Sequence, residues 1–112
     1  MKIVFQTRDN ILDVKLSGEI DHHTCVELRE KIDREYHKTR AKHMIIDFEE
    51  VKFMDSSGIG LLMGRYRNVI IGGGNIGIYH VSNKVDKILQ MAGLYKLVKP
   101  YDNQEKALKA FI

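Results

Sequence analysis

The chain predicts an α/β sandwich: one mixed sheet of four to five strands with about four helices packed on it. Three observations predict it. Two alternating apolar segments open the chain on either side of a turn. Apolar segments at helical spacing then alternate with short apolar runs, an order that calls for crossover connections between parallel strands. The 112 residues are 44% apolar and 29% charged, enough for one ordinary core and the size of a single domain spanning 1–112.

Residues 2–7 are an apolar run and Asp9-Asn10 is turn chemistry, after which Leu12, Val14 and Leu16 alternate with Asp13, Lys15 and Ser17. This is a hairpin with one buried face. Beyond Gly18, the segment Asp21-His22-His23-Thr24 leads to Cys25, Leu28, Ile32 and Tyr36 on one helical stripe. Thr24 followed by Glu27 reads as a capping box, which starts the helix at Thr24 and carries it to about Arg40. His43 to Phe48 contains Met44-Ile45-Ile46, the continuous run of a central strand buried on both faces. Glu49, Glu50 and Lys52 are expected in a loop that reaches Asp55-Ser56-Ser57-Gly58.

Ile59, Leu62, Met63, Tyr66, Val69 and Ile70 then recur at intervals of three and four, a second helix ended by Gly72-Gly73-Gly74. Asn75 to Val81 is expected as a strand. Ser82 caps a third helix with Val85, Ile88, Leu89 and Ala92, stopped at Gly93. Leu97-Val98 is expected as a short edge strand ended near Pro100. Asp102, with Glu105 three residues on, opens a last helix bearing Ala107, Leu108 and Phe111.

Composition and motifs exclude several functions. The 18 basic and 15 acidic residues leave +3, but the sign alternates along the chain: residues 1–28 and 43–64 are net acidic, 29–42 and 65–99 net basic. With no run of like charge, no nucleic-acid contact is expected. The one cysteine, Cys25, excludes an internal disulfide framework and fits a reducing compartment. The apolar start is too short for a signal segment or a membrane span, so a cytoplasmic location is expected. Gly72-x-Gly74-x-x-Gly77 spells a dinucleotide fingerprint, but it follows a helix and enters a strand. It therefore presents carbonyls rather than amides to a phosphate, and helix termination is the better reading.

No metal site is expected at His22, His23 and Cys25, because adjacent side chains diverge and no second ligand pair stands at zinc spacing. Asp47 lacks the acidic pair after the first strand that a phospho-acceptor aspartate needs for its metal. No serine-hydrolase elbow occurs. Asp55-Ser56-Ser57-Gly58 remains. By itself it reads first as a helix cap, with a reactive hydroxyl on a short polar loop as the other reading.

The segments Leu16–Thr24 and Phe53–Gly60, with Gly64-Arg65-Tyr66 and Met91-Ala92-Gly93-Leu94, closely resemble the STAS-domain anti-sigma factor antagonists of the sporulation type over nearly the whole chain. The resemblance implies the STAS fold and a partner switch in transcription control. The unphosphorylated protein binds an anti-sigma factor that is also a serine kinase and so frees the sigma factor. That kinase uses ATP to phosphorylate Ser56, and a serine phosphatase reverses it. Asp55, Ser57 and Gly58 shape the loop, and Asp21 belongs to the docking surface. The protein would be a kinase substrate and not an enzyme, without a cofactor of its own, and a monomer when free. A phosphate there would join an acidic surface of Asp21, Glu49, Glu50 and Asp55. The alternatives are a stand-alone STAS module that binds a ligand or nucleotide, a stress-type antagonist, and a plain scaffold.

Overall fold

The computed structural model describes residues 1–112. The elements are β1 (Lys2–Arg8), β2 (Ile11–Ile20), α1 (His22–Thr39), β3 (His43–Met54), α2 (Ser57–Ile71), β4 (Ile76–Tyr79), α3 (Asn83–Met91), β5 (Lys99–Tyr101) and α4 (Gln104–Lys109). The strands lie in chain order, β1-β2-β3-β4-β5. β1 is antiparallel to β2 and the remaining pairs are parallel, so α1, α2 and α3 each serve as one crossover.

Apolar patterning explains the layers. Leu12, Val14 and Leu16 of β2, with Met44, Ile46 and Phe48 of β3, form the main core with Leu28 and Ile32 of α1, Leu62 and Val69 of α2, and Val85 and Leu89 of α3. Side chains alternate across a strand, so Ile11 and Ile45 point the other way. They meet Tyr79 and Ala107 in a smaller cluster covered by α4. The Met44-Ile45-Ile46 run is thus buried on both faces, as its continuity requires.

The structure corrects several boundaries. β3 does not end at Phe48: Glu50, Val51, Phe53 and Met54 pair with Ser17, Gly18, Glu19 and Ile20 of β2, across two register irregularities. Glu49, Glu50, Lys52 and Phe53 are exposed strand positions, and their polar composition imitates a loop. β4 is shorter than expected at both ends. The edge strand is Lys99–Tyr101 instead of Leu97-Val98, which follow a 3-10 turn at Leu94–Lys96. Pro100 sits inside that strand, tolerated because β5 has a neighbour on one side only. The last helix is capped by Asn103, whose side chain accepts from the Lys106 amide at 2.9 Å, while Asp102 pairs with Lys106.

The glycine-rich segment lies between α2 and β4, as expected of helix termination. A Cβ on Gly74 would overlap the Lys42 carbonyl, and one on Gly77 would meet the Tyr101 ring. These glycines serve close packing.

Candidate functional site

Ile20 and Met54 are register partners at the carboxyl ends of the parallel strands β2 and β3. The Asp55 amide donates to the Ile20 carbonyl at 3.1 Å. This one bond joins the two loops that the sequence singled out, and it puts Asp21 and Asp55 at the end of the sheet where α/β folds place their sites.

The four loop residues have separate roles. Asp55 Oδ1 accepts from the Ser57 amide at 2.8 Å, and the amides of Gly58 and Ile59 donate to the carbonyls of Asp55 and Ser56. Asp55 therefore does the capping, and Ser56, already in helical backbone (φ −64°, ψ −16°), makes no side-chain cap bond. Its hydroxyl is exposed and unbonded. Ser57 is half-buried and Gly58 buried. A Cβ on Gly58 would collide with the Met54 side chain, so glycine lets α2 begin directly against the end of β3.

Asp21 caps α1, three residues earlier than the Thr24 start read from the sequence. Its Oδ1 accepts from the Thr24 amide at 2.9 Å, and its own amide donates to Thr24 Oγ1 at 2.9 Å. Thr24 is the returning half of this box. Asp and Thr exchange the usual order, which is why Thr24 and Glu27 imitated the pattern. The Thr24 amide holds the Asp21 carboxyl below the usual carboxylate range against desolvation, with further help from the Thr24 hydroxyl and His23. A group with a depressed folded pKa stabilises above its ordinary range, and that contribution disappears as pH falls through the folded value. Asp21→Ala is therefore expected to melt below wild type at neutral pH and to converge with it in acid, as read by thermal melts across pH.

A groove of about 610 Å³ opens beside Ser57 between α1 and α2, and Arg29, Arg65 and Arg67 line it with His22 and Cys25. Arg65 is only 3% exposed. Its Nε lies 2.8 Å from Asp33 Oδ1, off the N–H axis. Its Nη2 donates to Asp33 Oδ2 at 3.2 Å and its Nη1 to the Leu61 carbonyl. Asn68 donates to the same Asp33 at 3.0 Å. Burial lowers the Arg65 pKa, and Asp33 offsets this in part. Cys25 packs against the main core, and burial, reinforced by Asp55 and Asp21, pushes its thiol up, so it behaves as the small core residue expected.

The acidic surface expected around Ser56 is smaller than its segment charge implied. Glu49 alternates with Asp47 on the far side of β3, near Lys15 and His80, and cations line the groove beside Ser57. His22 and His23 are exposed in the first turn of α1 and belong to no three-ligand cluster, since the one such group is Asp47, Glu49 and His80. The sequence brought Arg65 in only through Gly64-Arg65-Tyr66, and neither its burial nor its pairing with Asp33 was foreseen. A charged residue on the apolar stripe of Leu61, Leu62 and Val69 was the available signal.

The STAS domain family model matches residues 2–107. An anti-sigma F factor antagonist of Paenibacillus polymyxa is 35% identical over 108 residues, covering 96% of this chain and 92% of that protein. The solved structure of the anti-sigma factor antagonist SpoIIAA in its unphosphorylated form superposes with a TM-score of 0.83 at 29% identity, over 97% of this chain and 95% of that one. The phosphorylated form of the Bacillus cell fate determinant SpoIIAA gives 0.75 at 28% identity, over 97% and 98%. The two joined loops, the capped Asp55-Ser56-Ser57-Gly58 turn and these likenesses together place the chain in the STAS domain family, among the anti-sigma factor antagonists.

Proposed function

We propose that Ser56 is the switch of this antagonist. Unphosphorylated, the protein binds an anti-sigma factor that is also an ATP-dependent serine kinase and releases the sigma factor. Phosphorylated on Ser56, it lets go, and a serine phosphatase restores it. One observation carries this reading: Ser56 is the exposed serine of its motif and its hydroxyl makes no hydrogen bond, while Ser57 is half-buried and its amide, with the Asp55 carboxylate, is committed to the turn. Asp21, Asp55, Ser57 and Gly58 then hold the contact surface around it. A dianion at the start of a 15-residue helix is favourable to that helix, so modification leaves the fold intact.

Incubation with the host's anti-sigma kinase, ATP and magnesium is expected to add one phosphate at Ser56, located by peptide mass spectrometry. Ser56→Ala should bind the kinase and take none. Transfer to Ser57, or none to wild type, overturns the assignment. Arg29 and Arg67 in the adjoining groove favour a second reading, a nucleotide-binding module. Titration of GTP and ATP with the kinase omitted tests it, and saturable binding abolished in Arg29→Ala would support it.

A further inference from the structure

Part of the α2 wall of the groove between α1 and α2 carries no side chain. Ser57, Gly60, Gly64 and Asn68 share the helical face that lines it, and a Cβ on Gly60 or Gly64 would meet nothing within 4 Å. These two glycines differ from Gly58, Gly74 and Gly77, where a Cβ would collide with neighbouring atoms of the chain. A glycine within a helix weakens it relative to alanine, so α2 bears a cost at Gly60 and Gly64 that no internal contact explains. A close approach from outside explains it, because a wall without side chains lets a second helix lie near the backbone.

A second observation gives the occupant its charge. Arg65 lines the same groove, and its Nε is the one buried side-chain nitrogen or oxygen in the chain without a hydrogen bond. Such a group ordinarily has an acceptor. Arg29 and Arg67 are exposed on the two walls and neither has an ion-pair partner, because Glu27 is taken by Lys31 and Asp33 by Arg65. Asp33 is the only acid lining the groove, so cations are in excess there. Val26, 48% exposed, adds an apolar contact. From Ser57 to Asn68 the groove follows α2 for about 16 Å at 1.5 Å per residue, three turns of a helix. It begins at the neighbour of Ser56, so a kinase that takes Ser56 into its active site also covers this end.

We infer that this groove docks an acidic amphipathic helix of the anti-sigma kinase, with its backbone against Gly60 and Gly64 and its carboxylates between Arg29 and Arg67. The identity of the partner rests on the proposed role of Ser56; the surface itself does not. The test is calorimetric titration of the full chain with the kinase loaded with ADP, so that no phosphate transfers. Gly64→Leu and Arg67→Glu should each bind at least about tenfold more weakly than wild type, the first through a clash and the second through like charge. Gly64→Leu should nevertheless melt at or above wild type, since leucine is the better helix former and the space is open, and circular dichroism should show both variants folded. Lys87→Glu, exposed on α3 and outside the groove, should bind like wild type. Undiminished kinase binding by either groove variant, or an equal loss in Lys87→Glu, overturns the proposal, and if a groove variant has lost GTP or ATP instead, the groove belongs to a nucleotide. Phosphate found on Ser57 in the kinase reaction faults the Ser56 assignment alone, whereas no binding of wild type overturns both.

Discussion

Ser56→Asp is expected to melt within a few degrees of wild type and, under the proposed switch, to bind an anti-sigma kinase about a hundredfold more weakly, a loss of about 2.7 kcal/mol. The fold loses nothing, because the Ser56 hydroxyl is exposed and without a cap bond, and α2 favours a negative charge at its start. Binding suffers because a partner that covers this loop must desolvate a carboxylate already close to Asp55 and Asp21, and an unpaired charge at an interface costs about 2–5 kcal/mol. Calorimetric titration against the kinase, with circular dichroism on the same samples, measures both halves. Near-native affinity, or an unfolded variant, would sink the account.

Asp33→Ala is expected to lower stability by about 3 kcal/mol, the scale for stranding one member of a largely buried ion pair. In a domain of this size that corresponds to a melting temperature lower by roughly 10–20 °C. Arg65 is the stranded charge, with only the Leu61 carbonyl left to it, and Asn68 loses its acceptor as well. Replacing both charges, Asp33→Ala with Arg65→Met, should recover much of the loss, because an apolar side chain of similar volume carries no desolvation cost. Failure of the double variant to recover would mean that Asp33 stabilises α1 and α2 in some other way.

The parts legible in the sequence are those that short-range patterns encode. Alternation in β2, the apolar run in β3 and the stripes of α1 to α3 each report burial of one face, and the sheet with its crossovers follows. The Asp55–Gly58 turn was legible for the same reason, being built from neighbours in the chain. The misread boundaries lie where local signals compete with pairing from elsewhere. Glu49 to Phe53 are polar enough for a loop but pair with β2, and Thr24 resembles a first cap because it answers Asp21.

By itself, then, the sequence determined the order of elements, which faces are apolar and which hydroxyl motif stands at the start of α2. Only the tertiary structure decided that Ser56 is the more exposed serine there, that the bond from Asp55 to Ile20 joins its loop to that of Asp21, and that arginines line the groove while Glu49 faces away. Those facts depend on residues tens of positions apart in the chain. Periodicity reports that a side chain is buried, but which partner meets it is set by sheet register and helix packing.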